Sequence, residues 1–101
     1  MANRLDLHRK FEEIPGVKKA YFQPPESVKL KYPCIMYELS YRTILHAENA
    51  PYFAGDRYTV TVIDFDPDSK IHEFVGRMPT ASFDRSYEKD NLNHWIYTLY
   101  H

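Results

Sequence analysis

One cysteine, three glycines and no long apolar run narrow the chemistry of this chain before any motif is sought. Cys34 has no partner for an internal disulfide. Its neighbours Ile35 and Met36 make it a buried structural thiol rather than a nucleophile. With so few glycines a phosphate cradle is not expected, and neither a P-loop nor a nucleophile elbow occurs. No apolar stretch approaches the roughly 20 residues that cross a bilayer, and no signal-type run opens the sequence. The reading is an intracellular, soluble protein without membrane contact. Charge of one sign is not in excess either: 13 basic and 14 acidic residues leave a net charge of −1. That argues against duplex DNA as a primary ligand, because phosphate binding needs a concentrated positive field. The pairs Lys18-Lys19 and Lys29/Lys31 read as solvated faces.

What the chain does have is aromatic surface. Aromatics make up 16% of its 101 residues, with nine Tyr and six Phe against one Trp. Tyrosine joins an apolar body to a polar tip, so it suits a half-exposed sheet or a partly dry subunit contact. The length fits one domain, residues 1–101, with one core.

Along the chain, residues 3–14 (NRLDLHRKFEEI) carry a helical stripe of Leu7, Phe11 and Ile14, with Asn3 as N-cap. Pro15-Gly16 ends that helix, and residues 17–22 read as a short strand. Pro24-Pro25 and Pro33 cannot lie inside a central strand, so residues 23–33 form an ordered surface arm rather than a hairpin turn. Residues 34–44 alternate with a period of two, Ile35, Tyr37, Leu39 and Tyr41 against Met36, Glu38, Ser40 and Arg42. Residues 45–55 break the alternation and hold Pro51 and Gly55, which predicts a mobile loop between antiparallel strands. Residues 56–65 (DRYTVTVIDF) are β-branched on both faces, as in a central strand. Asp66-Pro67 then reads as N-cap and N1 of a helix over 67–77. Extended structure over 80–87, a turn at 88–91 and a strand over 92–100 complete the order α-β-β-β-α-β-β. Both sides of the last strand are apolar, one for a helix and one for a partner. The expected fold is α+β, a two-layer sandwich of a mainly antiparallel sheet with two helices on one face.

No catalytic, cofactor or metal residues are assigned. Asp64, Asp66 and Asp68 open like a calcium loop, but Ser69 stands where Gly is needed and Val75 where Glu is needed. A strand end followed by an acidic helix start accounts for all three. Glu38, Asp64, Asp66 and Lys70 could be assembled into a metal-dependent nuclease, although Pro67 interrupts the strand between acid and lysine. The histidines His8, His46, His72, His94 and His101 lack zinc spacing. Asn91, Asn93 and His94 read as turn chemistry. Arg85 and Asp84 point to opposite faces of a strand, so Arg85 is expected to pair with another carboxylate of the chain, or else with a second subunit.

The stretches YFQPPESVKLKYPCIMY, YTVTVIDFDPDS, SFDR and DNLNHWIYTLY, in that order and spacing, resemble the tail-completion or tail-terminator proteins of long-tailed bacteriophages. The likeness is to versions from phages and prophages of Gram-positive bacteria, and it covers residues 20–100. It implies a structural α+β protein without enzymatic activity, found in the host cytoplasm during assembly and then in the virion tail. The family members form a homo-hexameric ring that caps the tail tube protein and offers a docking surface to the head connector protein. They can be monomeric in solution, and DNA passes through the ring as cargo. On this reading the arm (Gln23, Pro24, Pro25, Lys29, Lys31, Tyr32), the predicted loop (His46, Tyr52, Phe53) and Arg85 are the expected partner-binding residues. Lys29 and Lys31 are alternatively lumen-lining. The alternative functions are a head-closure or adaptor protein, and the nuclease described above.

Overall fold

The structure, a computed structural model, describes residues 4–47 and 50–101, with side chains outside 43–54. Two helices and a five-stranded sheet follow the order α-β-β-β-α-β-β. They are α1 (Arg4–Glu12), β1 (Lys19–Phe22), β2 (Cys34–Ala47), β3 (Ala50–Asp64), α2 (Ile71–Gly76), β4 (Ser82–Lys89) and β5 (Leu92–Tyr100). Strands lie in the order β1-β2-β3-β5-β4. Every pairing is antiparallel except β1 with β2. The predicted N-cap Asn3 lies outside the described residues.

Both helices sit on one face, as the apolar stripes require. Leu7 and Phe11 of α1 and Ile71 and Val75 of α2 are buried against one face of the sheet. Register stacks that face in rows: Ile35, Val62 and Trp95; Tyr37, Val60 and Tyr97; Leu39, Tyr58 and Leu99. Each such side chain, fully buried, contributes about 1.5–3 kcal/mol. Tyr37 is the hub. Its ring meets Phe11 and Phe22 at 5.1 Å each and Tyr58 at 5.9 Å. Its hydroxyl is held by Arg4 Nη1 at 3.0 Å and His8 Nδ1 at 2.7 Å, which ties α1 to the sheet.

Two glycines have steric duties. Gly16 takes φ +94 where the chain leaves α1 for β1, a region open to Gly at little cost. At Gly76 a Cβ would stand 3.3 Å from the Tyr97 ring, so its absence lets α2 sit close to the sheet.

The arm over residues 23–33 is the crossover between β1 and β2, and it lies on the face away from the helices. There Leu30 and Tyr32 pack on a second cluster of Tyr21, Cys34 and Ile63. Parallel neighbours cannot be joined by a tight turn, so the proline-rich length has a topological use.

Three expectations need correction. The loop predicted over 45–55 is a continuation of β2 and β3, paired from Thr43–Gly55 out to Ala47–Ala50. Register shifts between Leu39 and Tyr41 and between Thr43 and Ile44 break the alternation without ending the strands. The shift at Ser40 puts Tyr41 in register with Arg57, on the face opposite Leu39. The helix predicted over 67–77 is only Ile71–Gly76, and Lys70 rather than Asp66 occupies its N-cap position. Asp64 and Asp66 instead accept the backbone N–H groups of Asp66 and Asp68, at 3.1 and 2.9 Å, and so close successive turns ahead of the helix. Finally, the turn predicted over 88–91 narrows to Asp90 and Asn91, both with positive φ (54 and 63), joining β4 to β5.

Candidate assembly interface

The face of the sheet opposite the helices is covered at one end only. The arm closes over Cys34 and Ile63, with Leu92 at the margin of the same cluster. Beyond it, Met36 still packs against the arm's cluster and Ile96 is buried, but Thr61 and Arg85 of the same row carry no covering element among the described residues; nor do Glu38, Thr59, Thr98 and Ser82, or Tyr41, Arg57 and Tyr100. Small β-branched threonines in the middle and tyrosines at the margin give a half-dry surface of the kind that meets another protein. Tyr41 and Tyr100 are 56% and 47% exposed.

Gln23 shapes the border of this surface. It takes φ +44, its backbone N–H donates to the Tyr37 carbonyl at 2.9 Å, and its side-chain oxygen accepts the Leu39 N–H at 3.1 Å. The amide side chain thus extends the β1–β2 ladder by one step. Beside it lies a hollow of about 160 Å³, lined by Gln23, Pro24, Met36, Glu38, Thr59 and Thr61. The rest of the arm is fixed by local contacts. Lys31 N–H donates to the Tyr21 hydroxyl at 3.0 Å, and the Tyr32 ring meets Phe65 edge-on at 5.5 Å. Pro25, Lys29 and Lys31 are exposed.

The expected partner-binding residues fall in three separate places. Gln23, Pro24, Pro25, Lys29, Lys31 and Tyr32 share the arm. His46, Tyr52 and Phe53 lie on the paired extension of β2 and β3, and their side chains are outside the described set. Arg85 stands on edge strand β4, where all eight residues are exposed. It forms no ion pair among the described residues, so the expected internal carboxylate partner is not found among them. Sequence reasoning passed over Glu38, Tyr41, Arg57, Thr59 and Thr61 as surface. The apolar second side of β5 pointed toward this face, but the threonine rows emerge only once the strands are placed in register.

Beyond the sheet proper, β2 and β3 continue as a two-stranded ribbon. The last β5 residue pairs with Arg57, and Asp56 exchanges backbone hydrogen bonds with His101. From Gly55 outward neither strand has another neighbour among the described residues. Arg42 grips Asp56 at the ribbon's base through Nε (2.9 Å) and Nη2 (3.2 Å). The molecule is accordingly 52 Å along its longest axis.

Groups with chemical potential are engaged in structure. Burial, with the nearby Asp64 charge, pushes the Cys34 thiol up to about 12, so it stays protonated and inert at neutral pH. Asp64 belongs to the helix-side face by register and Glu38 to the opposite one, so the two cannot share a cation. Lys70 instead approaches Glu73 at 3.9 Å. Among the described residues no group of three His, Cys, Asp or Glu side chains could hold a metal ion. His72 stacks on Trp95 at 4.6 Å and bonds the Tyr97 hydroxyl at 3.2 Å. His94 stacks on Tyr87, also at 4.6 Å. No protein-family model matches the chain, and no curated protein matches it in sequence.

Proposed function

We propose that this chain is a structural protein of a long-tailed phage or prophage, which caps the finished tail tube as a ring and presents a docking surface to the head connector. The resemblance of residues 20–100 to tail terminators supplies the class. The observation that supports it is the projecting β2–β3 ribbon. A two-stranded ribbon is at best marginally stable alone in water, so this one gains from a neighbour, and a ring supplies one to every copy. Ring closure needs heterologous, head-to-tail contacts between unlike surfaces. The arm at one edge of the sheet and the exposed strand β4 at the other provide such unlike surfaces.

The test is to shorten the ribbon, replacing residues 46–51 with an Asn-Gly turn between Leu45 and Tyr52, which pair in register. The variant is expected to fold, because the core lies below the ribbon, and to lose ring formation and capping of tail tubes. Rings and capped tubes of normal appearance would remove the ribbon from the account.

A further inference from the structure

Two charges without an ion-pair partner among the described residues face the same way across the uncovered part of the sheet. Glu38 on β2 and Arg85 on β4 are both exposed, and neither forms an ion pair among the described residues. Glu38 is level with Thr59 and Thr98, and Arg85 with Ile96 and Thr61. They stand three strand spacings apart, about 14 Å, and one same-face step apart along the strands, about 7 Å.

We propose that a second copy of this chain covers this face, sheet against sheet, about a two-fold axis running along the strands between β3 and β5. The surface is self-complementary under that one rotation. It sets β2 of one copy over β4 of the other, so Glu38 meets Arg85 of the second copy and Arg85 meets its Glu38. It also sets β3 over β5. Thr59 then faces Thr98, Thr61 faces the side of Ile96, and the Arg57 guanidinium comes over Tyr100. Arg57 already lies 5.3 Å from the centre of the Tyr41 ring, so stacking against tyrosine is within its reach. Facing sheets pack about 10 Å apart, a gap that a glutamate and an arginine bridge from opposite sides despite the offset. Threonine rows, short and β-branched, allow the sheets that approach. A rotation across the strands would instead set Glu38 against Glu38, so charge selects the axis. The contact closes at two copies, so it stands or falls independently of the ring.

The test uses the full chain and sedimentation equilibrium. Wild type is expected to dimerise, and Glu38→Arg and Arg85→Glu are each expected to weaken the dimer by about tenfold or more, since each places like charges at both contacts. Mixing the two variants in equal amounts is expected to restore association, because every mixed dimer carries opposite charges at both positions. The double variant E38R/R85E is expected to dimerise alone. Unchanged far-UV circular dichroism and thermal midpoints separate loss of contact from loss of fold. A wild-type chain monomeric up to its solubility limit would overturn the proposal. So would dimers indifferent to either reversal, or mixtures that fail to recover.

Discussion

Replacing Tyr37 by Phe isolates the bond between α1 and the sheet from the packing around it. The ring stays, with its contacts to Phe11, Phe22 and Tyr58, while the hydroxyl that bonds Arg4 and His8 is lost. Tyr37 is 1% exposed, so nothing replaces that hydroxyl on the tyrosine side. Arg4 and His8 are only partly buried and regain water, which limits the loss. One bond involves a charged donor and the other an imidazole, so the combined cost is about 1–2 kcal/mol. In a domain of this size that lowers the thermal midpoint by roughly 5–10 °C. Urea denaturation followed by circular dichroism should show a lower midpoint at unchanged slope, since the exposed surface hardly differs. Tyr37→Ala, which also removes the ring, should cost about 3–5 kcal/mol. If Tyr37→Phe costs under about 0.3 kcal/mol, against the expected net worth of a buried bond, the hydroxyl does not hold α1 in place and the anchoring argument fails.

Alkaline pH should destabilise the fold in two stages. The folded-state Cys34 thiol is raised from 9.0 to about 12, so its contribution is complete below pH 9 and is lost as the pH climbs toward 12. Tyr37, Tyr58 and Tyr97, each raised above 10.0 chiefly by burial, add to the loss above pH 10. A thermal midpoint flat from neutral pH to beyond pH 10 would contradict this, and Cys34→Ala should delay the onset. Asn91, at φ +63 in the β4–β5 turn, tolerates the left-handed region better than alanine does. Asn91→Ala should therefore cost about 1 kcal/mol, and Asn91→Gly should be neutral or mildly stabilising by chemical denaturation. Calorimetric titration with Mg²⁺, Mn²⁺ or Ca²⁺ should give no stoichiometric heat, because Asp64 and Asp66 are committed to backbone N–H groups. Tight binding abolished by Asp64→Asn would revive the nuclease alternative.

The helix stripes and the strand alternation were legible because each follows one local period: Leu7 and Phe11, Ile71 and Val75, and Val60 and Val62 all point where their spacing put them. The ribbon was not, for a physical reason. An extra residue at a bulge reverses the phase of a period-two pattern, so after the shifts at Leu39/Tyr41 and Thr43/Ile44 the continuing strand reads as a loop from residue 45. The acidic run before α2 misled in a different way. Asp66-Pro67 has the chemistry of a helix start, yet the same carboxylate serves equally well to close a turn. Proline content placed the arm correctly, but nothing local encodes that β1 pairs with β2 in parallel. The uncovered face was half legible, in the two apolar sides of β5. The juxtaposition of Glu38 with Arg85 depends on the register of four strands, which no single segment contains.

Tail length in particles assembled without this chain tests the central claim most directly. Electron microscopy of a phage or induced prophage whose copy of this coding sequence has been inactivated should show overlong tubes of variable length and unattached filled heads. Tails of normal, uniform length beside unjoined heads would contradict termination and place the chain on the head side of the junction.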